Sequence, residues 1–125
     1  MASLAEIEKI INSDLSTKIQ NSFIKNDELM IEIYENELVE VIQFLKTNDK
    51  CKFRQLIDIA GVDYPDNEKR FKLIYLFLSH ENNIRIKLSI NFETNQLINS
   101  ITKIFPSANW MEREVFDMYG IKFKN

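Results

Sequence analysis

The sequence predicts an α+β domain of two layers, in which helices lie mainly on one face of a mixed sheet of about four to five strands. Three observations indicate this fold class. Apolar residues recur at helical spacing in some segments and alternate with polar residues in others. These segments follow one another in the order α-β-β-α-β-β-β-α-α. The 125 residues are also 45% hydrophobic and 28% charged, which is typical of one globular domain, residues 1–125, and excludes a disordered chain.

The first half of the chain is predicted to form two helices on either side of a β-hairpin. Ser3 and Glu6 have the spacing of a capping box, which starts the first helix. Asn26 and Asp27 are turn residues between two strand-like segments, which indicates a hairpin. Apolar residues at helical spacing then mark the second helix. The predicted elements are a helix from Leu4 to about Leu15, strands Ile19–Ile24 and Leu29–Ile33, and a helix from Asn36 to about Lys46.

The second half is predicted to contain three strands and two helices. The segment from Leu56 to Val62 suits a buried strand or a helix equally well by its periodicity, and Pro65 follows in a loop. Phe71–Ser79 is almost continuously apolar, which is typical of a central strand buried on both faces. Ile84–Phe92 alternates strictly and predicts a strand with one solvated face. A helix that Pro106 stops is predicted from apolar residues at helical spacing, namely Leu97, Ile98, Ile101, Ile104 and Phe105.

The most heavily specified stretch begins at Asn109 and predicts one short helix. Asn109 is the predicted N-cap, and Glu112 is placed to accept from the Asn109 N–H as in a capping box. Gly120 ends the helix because glycine readily adopts the left-handed conformation of a last turn. Arg113 and Asp117 lie one turn apart and are interpreted as a pair. One apolar stripe is predicted from Met111, Val115, Met118 and Tyr119, widened by Trp110 and Phe116.

The composition excludes several classes of function. With a net charge of −3, a pI of about 5.2 and no basic stripe, the chain lacks the footprint of a nucleic-acid-binding protein. One cysteine, Cys51, and one histidine, His80, cannot by themselves hold a metal ion or an iron–sulfur cluster. Gly61 and Gly120 are the only glycines, so the sequence contains neither a dinucleotide-binding fingerprint nor a phosphate-binding loop.

No targeting or membrane-spanning segment is predicted. The N-terminal residues Met1–Glu6 lack the basic region and apolar core of a signal peptide. Leu73–Leu78 is the longest apolar run and is far shorter than the about 20 residues that a spanning helix needs. A single cysteine cannot form a disulfide within the chain, which favours a reducing, cytoplasmic compartment. We therefore expect the protein to reach a membrane only through partners.

Two motifs carry a family resemblance. The last predicted helix reads Asn-Trp-x-Glu-Arg-Glu-x-x-Asp-x-x-Gly-Ile from Asn109 to Ile121. Upstream, the chain contains Ala60 and Val62-Asp63-Tyr64-Pro65, then Arg70-Phe71, Tyr75 and Leu78-Ser79. Both motifs resemble those of the C subunit of NADH:quinone oxidoreductase, respiratory complex I, which is the family of the mitochondrial 30-kDa subunit. The resemblance covers roughly Leu56 to Phe123 by motif, and it favours a strand for the ambiguous segment that begins at Leu56.

The resemblance implies a subunit in the peripheral arm of this proton-translocating NADH dehydrogenase, which transfers electrons from NADH to ubiquinone or another quinone. Such a subunit has no cofactor and no catalytic residue of its own, because iron–sulfur clusters, FMN, NADH and quinone are bound by neighbouring subunits. Its chief partner is the quinone-site subunit, which is related to the large subunit of nickel–iron hydrogenases. It lies at the cytoplasmic face of the bacterial inner membrane, or on the matrix side in a mitochondrion.

Carried over position by position, the two motifs place the expected partner interface on residues of both segments. These are Asp63, Tyr64, Pro65, Arg70, Trp110, Glu112, Arg113, Glu114, Asp117, Gly120 and Ile121. Family members continue past the Gly-Ile pair with a Gly-His-Pro stretch and an Arg-rich tail, whereas this sequence ends at Lys122-Phe123-Lys124-Asn125. We therefore expect a domain that lacks the tail of the family and binds its partner less tightly.

Three alternatives stay open. The motifs are shared with the equivalent subunits of membrane-bound hydrogenases and of ferredoxin-driven quinone reductases. A stand-alone enzyme that uses Glu112 or Asp117 as an acid or base is disfavoured, since Arg113 between them lowers carboxylate pKa values. The same holds for a stand-alone enzyme with Cys51 as nucleophile and His80 as base, since it lacks a third, orienting group. The third alternative is an interaction module that works outside respiration.

Overall fold

A five-stranded mixed sheet forms the frame of the protein. Its strands in the computed structural model, which describes all residues from Met1 to Asn125, are β1 (Ile19–Lys25), β2 (Glu28–Ile33), β3 (Gln55–Asp63), β4 (Phe71–Ser79) and β5 (Ile84–Phe92). They lie in the order β1-β2-β5-β4-β3. β2 pairs with β5 in parallel, and all other neighbours pair antiparallel. The predicted α+β class is confirmed, and the ambiguous segment after Leu56 is a strand.

Three α-helices and a second, two-stranded sheet complete the fold. Ser3 caps the first helix, because its hydroxyl accepts from the Glu6 N–H at 3.2 Å, as predicted. A 3₁₀ turn at Glu35–Glu37 precedes the second helix, close to the predicted start at Asn36. The elements are α1 (Leu4–Asp14), α2 (Leu38–Thr47), β6 (Ile98–Asn99), α3 (Ala108–Tyr119) and β7 (Phe123–Lys124), of which β6 and β7 pair in parallel.

The β1–β2 hairpin turns through Asn26 and Asp27, as predicted. Both residues have positive φ angles, 53° and 60°, which suit the tight turn that matches the twist of antiparallel strands. Lys25 pairs with Glu28 across this turn. The chain then forms α2, β3 and β4 before β5 returns to lie parallel to β2.

One face of the sheet is buried against the helices. Inward residues of β4 and β5 lie directly opposite each other, as Tyr75 does to Leu88 and Phe77 to Ile86. Leu29 of β2 continues this layer, since it pairs with Ile86 on the other side. All of these side chains are fully buried, and they belong to one core of 30 buried residues. The helices contribute the inward residues Ile7, Ile11, Leu38, Val41, Ile42, Leu45, Ala108 and Val115 to the same core.

The opposite face of the sheet is only partly covered, and this corrects one prediction. The sequence predicts Phe71–Ser79 as a central strand buried on both faces. β4 does lie inside the sheet, between β5 and β3, but only one of its faces is fully buried. Ile74, Leu76 and Leu78 of β4 point outward and are half-buried. The apolar run is misleading because these outward residues are apolar and yet keep part of their surface exposed. The prediction of one solvated face for β5 is confirmed in part: Arg85 is exposed, Lys87 and Asn91 are half-buried, and Ser89 is buried.

The prediction of a helix in the segment before Pro106 is wrong. Ile98 begins the short strand β6, and residues 102–104 form a turn. The apolar residues of this segment are buried, so their spacing reflects packing on the core without a helix. The backbone is hydrogen-bonded elsewhere: the Ile98 N–H donates to the Lys122 carbonyl at 3.1 Å, and the Ile101 N–H donates to the Glu112 carboxylate at 2.9 Å. A short strand and a turn therefore replace one predicted helix in the order of elements.

Candidate partner-binding site on the last helix

α3 turns one face to the core and the other to solvent. It packs against β3, and Met111, Val115 and Tyr119 contact the core as predicted. Met118, which the sequence predicts in the same stripe, is 74% exposed instead. The stripe differs from the prediction because Glu112, a charged residue, takes a place on the inward face.

α3 ends at Gly120 as predicted, but it does not begin where the sequence predicts. Gly120 has a φ of 72°, and its N–H donates to the Phe116 carbonyl at 2.8 Å, so it is a left-handed C-cap. The predicted N-cap at Asn109 is wrong, since the helix begins at Ala108 after Ser107, whose side chain makes no capping hydrogen bond. The predicted capping box is wrong for the same reason.

Gly120→Ala is expected to lower the free energy of unfolding by about 1 kcal/mol. A Cβ at this position would meet no atom within 4 Å, so the cost comes from the left-handed backbone alone. Gly120→Asn is expected to recover part of the loss, because asparagine adopts this conformation more readily than alanine. Denaturant unfolding measures both variants, and equal losses would contradict this explanation.

Glu112 is a buried carboxylate that holds the β6 segment against α3. It is 6% exposed. Its Oε2 accepts from the Ile101 N–H at 2.9 Å, and its Oε1 accepts from the Ser100 hydroxyl at 2.7 Å. Burial raises the pKa of Glu112 above its ordinary value, and these two hydrogen bonds act in the opposite direction. This motif residue therefore has an internal, structural role, and no sequence pattern pointed to Ser100 as its partner.

α3 and β3 approach most closely where Tyr119 crosses Gly61. The Tyr119 hydroxyl donates to the Gly61 carbonyl at 2.9 Å. A Cβ on Gly61 would lie 2.5 Å from Cε2 and 2.8 Å from Cδ2 of the Tyr119 ring, so only glycine leaves room for this contact. Neither residue is among the predicted site residues. The signal that could have identified the contact is a glycine inside a predicted strand, which often marks a close approach of the backbone.

Asp63 and Arg70, from the upstream motif, form a two-pronged salt bridge. Nε and Nη2 of Arg70 donate to Oδ1 and Oδ2 of Asp63 at 2.7 and 2.9 Å. These hydrogen bonds hold the pKa of Asp63 below its ordinary value and raise the pKa of Arg70. The Arg70 carbonyl also accepts from the Tyr64 N–H at 2.7 Å. The pair therefore closes the loop between β3 and β4, in which Tyr64 and Pro65 are exposed.

The predicted site residues fall into separate places. Arg70, Gly120 and Ile121 line one cleft beside the end of α3, and Asp63 supports it through Arg70. Glu112 faces the interior. The other predicted site residues of α3 face solvent. The prediction of an Arg113–Asp117 pair is wrong, because the structure contains no salt bridge between these two residues. The solvent-facing site residues of α3 are Trp110, Arg113, Glu114 and Asp117.

The solvent face of α3 also carries large apolar side chains. Trp110 is 67% exposed and Phe116 is 46% exposed. Phe116 borders a groove of about 600 Å³ between α3 and the β6–β7 pair, whose other side includes Leu97 and Phe123. Large exposed aromatic side chains are typical of protein–protein contact sites.

The chain offers little for metal or nucleophilic chemistry. No group of three or more His, Cys, Asp or Glu side chains is arranged to hold a metal ion. Cys51 is buried, and burial raises the pKa of its thiol to about 11, so the reactive thiolate is scarce near neutral pH. None of the helices combines the length and the apolar character that a membrane crossing requires.

Comparison with known proteins decides the family. The family model described as "Respiratory-chain NADH dehydrogenase, 30 Kd subunit" matches residues 31–125. The chain belongs to this 30-kDa subunit family. The NADH-quinone oxidoreductase C subunit of Mesorhizobium japonicum is 37% identical over 122 residues, which cover 98% of this chain and 61% of the relative. The C subunit of Rhodospirillum rubrum is 41% identical over 121 residues, 97% of this chain and 57% of the relative, so the chain spans about three-fifths of these curated relatives.

Solved structures share the fold of this 30-kDa subunit family member. A trypsin-resistant fragment (1-134) of Nqo5 has a TM-score of 0.80 at 22% identity, covering 95% of this chain and 96% of that one. A chain of the membrane-bound sulfane sulfur reductase, an archaeal respiratory membrane complex, has a TM-score of 0.84 at 19% identity, covering 97% and 70%. At such identities the likeness establishes the fold alone. The family resemblance carried by the two motifs is confirmed.

Proposed function

We propose that this chain is a cofactor-free structural subunit in the peripheral arm of a proton-translocating NADH-quinone oxidoreductase. It supports electron transfer from NADH to quinone by holding the quinone-site subunit, and none of its residues takes part in the chemistry. The observation that carries this proposal is the solvent face of α3, on which large aromatic groups stay exposed in a member of a subunit family. The naming of the relatives as NADH-quinone oxidoreductase subunits supports the choice of enzyme.

The solvent face of α3 has the residue types that dominate binding at protein interfaces. Trp110, Arg113 and Asp117 recur along one side of the helix, and tryptophan and arginine are the residue types most enriched among interface hot spots. The opposite face is held by the Glu112 hydrogen bonds and by the Tyr119–Gly61 contact. Because the inner face already fixes the helix, a partner that binds the outer face has few further groups to order. The loss of conformational entropy on binding is therefore small.

In this proposal the subunit lies at the cytoplasmic face of the bacterial inner membrane. It reaches the membrane through the partner subunits, which bind the iron–sulfur clusters, FMN, NADH and quinone. The motif residues at the β3–β4 loop, Tyr64 and Pro65, form a second exposed contact point. The partner interface then extends over both motifs, with Asp63 and Arg70 fixing the shape of the loop.

Trp110→Ala is expected to weaken binding to the quinone-site subunit by about tenfold or more, because it removes a large apolar contact at the interface. Titration calorimetry of the chain against that subunit measures the change. Tyr34→Ala is the matched control, since Tyr34 is 45% exposed and lies on a different element, and it should bind like the wild type. Because Trp110 is mostly exposed, the substitution should alter stability by less than about 1 kcal/mol.

Two outcomes count against the proposal. If the wild-type chain does not bind the quinone-site subunit, the proposed function fails. If Trp110→Ala and Tyr34→Ala bind equally well, the interface does not include the solvent face of α3.

A second candidate is the equivalent subunit of a membrane-bound hydrogenase or a ferredoxin-driven quinone reductase. The shared fold with a chain of an archaeal membrane-bound respiratory complex favours keeping this candidate. Purification of the complex from native membranes through a tag on this chain separates the two. NADH-oxidising activity in the purified complex supports the first assignment, and hydrogen- or ferredoxin-dependent activity without it supports the second.

A further inference from the structure

A cleft of about 470 Å³ opens beside the C-terminal end of α3. One side is formed by the loop 94–97, which joins β5 to β6, and the other by the end of α3 and residues 120–122. Aromatic side chains of β4, β5 and α3 form its wall. We name it the Arg70–Lys122 cleft; the side chains that decide its chemistry are Arg70, Phe71, Phe92, Tyr119 and Lys122.

The charged side chains that line the Arg70–Lys122 cleft are both basic. Arg70 and Lys122 line it, and no aspartate or glutamate does. Arg70 engages Asp63 through Nε and Nη2, which leaves its Nη1 available. Lys122 is exposed and forms no salt bridge. Asp63 balances the charge of Arg70, so Lys122 supplies the uncompensated positive charge of the cleft, in a chain whose net charge is −3.

The wall of the cleft adds an apolar surface to these cations. The rings of Phe71 and Phe92 lie 6.0 Å apart, and the rings of Phe71 and Tyr119 lie 6.4 Å apart edge to face. Phe71 and Phe92 are buried and Tyr119 is tied to Gly61, so the wall is rigid. A ligand that fits must therefore combine a negative group at the rim with an apolar group against the rings.

We infer that the Arg70–Lys122 cleft receives an acidic segment of the partner subunit. An Asp or Glu carboxylate of this segment binds Lys122 and the free Nη1 of Arg70, and a neighbouring apolar side chain packs against the aromatic wall. The inference rests on the proposed function, because it assigns a second contact to the same partner.

The end of α3 disfavours a dianionic phosphate group more strongly than a single peptide carboxylate. A helix C-terminus carries a partial charge of about −0.5 and carbonyl groups without intrahelical partners. These carbonyls reduce the net positive charge of the cleft and can accept the N–H groups of a peptide. A dianionic phosphate would meet the same carbonyls, and the chain has no Gly-rich loop to donate N–H groups to it. A single carboxylate on a polypeptide matches both features.

Lys122→Glu is expected to weaken binding to the quinone-site subunit by about tenfold at low ionic strength and by less at high ionic strength. Lys124→Glu is the matched control, because Lys124 is exposed on β7 and does not line the cleft, and it should cost less than about threefold. No loss with Lys122→Glu, or equal losses in the two variants, overturns the inference. If Trp110→Ala weakens binding while Lys122→Glu does not, the proposed function stands and the inference alone fails.

Carbodiimide cross-linking identifies the occupant directly. The reagent joins a lysine amine to a nearby carboxylate as an isopeptide bond with loss of water, so it reports only groups in contact. In the complex we expect a bond from Lys122 to an Asp or Glu of the partner, located by mass spectrometry of the digested product. A bond from Lys122 to a second copy of this chain, or reaction at other lysines without Lys122, contradicts the inference.

Discussion

Gly61→Ala is expected to lower the free energy of unfolding by about 2–4 kcal/mol, the sum of an overpacking cost and a lost hydrogen bond. The new methyl group would lie 2.5 Å from Cε2 of Tyr119, so the ring must move. Moving the ring breaks the hydrogen bond from the Tyr119 hydroxyl to the Gly61 carbonyl and frees the last turn of α3 from β3. Urea unfolding followed by circular dichroism measures the loss.

A double-mutant cycle with Tyr119→Ala tests the cause of this loss. Without the ring, a methyl group on residue 61 meets no clash, and Gly61→Ala should then cost less than about 0.5 kcal/mol. The same cost in both backgrounds would show that strain elsewhere in β3 is responsible. Binding to the partner should fall together with stability, because the cleft beside α3 uses the same ring as part of its wall.

Glu112→Ala is expected to lower the free energy of unfolding by about 2–4 kcal/mol, since it removes a carboxylate that two donors share and leaves one of them, a buried N–H, unpaired. These donors are the Ile101 N–H and the Ser100 hydroxyl. Glu114→Ala is the matched control on the same helix: Glu114 is exposed, and its removal should change stability by less than about 0.5 kcal/mol. Similar losses for the two variants would mean that helix propensity or net charge explains the effect of Glu112.

Glu112→Gln keeps the shape of the side chain but removes its ability to ionise, so it tests the contribution of the charge alone. Burial raises the pKa of Glu112 above the ordinary 4.5, so folding favours the protonated form. The stabilising effect of protonation is therefore fully present below 4.5 and is lost as the pH rises through the higher folded-state pKa. Glu112→Gln cannot ionise and should not show this loss. Stability measured against pH should shift in favour of the variant as the pH rises above 4.5, and a constant difference would contradict the shifted pKa.

The elements that the sequence predicts correctly depend on signals acting over a few residues. Ser3 caps α1 through its hydroxyl, whereas Asn26 and Asp27 form the hairpin turn and Gly120 ends α3 through their positive φ angles. The errors arise where distant residues supply the partners. The segment after Leu97 has helical spacing, yet its backbone bonds to Glu112 and to the Lys122 carbonyl, which no local pattern can reveal.

The motifs identify the family correctly but not the role of each residue. Glu112 has the spacing of a capping residue, but its buried carboxylate accepts a hydrogen bond from the Ile101 N–H instead. Gly61 and Tyr119 join α3 to β3 through a hydrogen bond, yet these two residues lie far apart in the chain. That the solvent-facing residues of α3 bind a partner stays a prediction, because exposure alone does not identify what covers them.

The parallel pairing of β2 with β5 also decides the order in which the chain can fold. Leu29 pairs with Ile86, so β2 cannot complete its hydrogen bonds until α2, β3, β4 and β5 have been synthesised. β4 and β5 need only a short turn to pair, and together they provide the edge on which the first hairpin docks. During synthesis β2 therefore keeps its second edge unpaired until β5 has formed. That edge is where the nascent chain is most exposed to pairing with the wrong strand before the sheet closes.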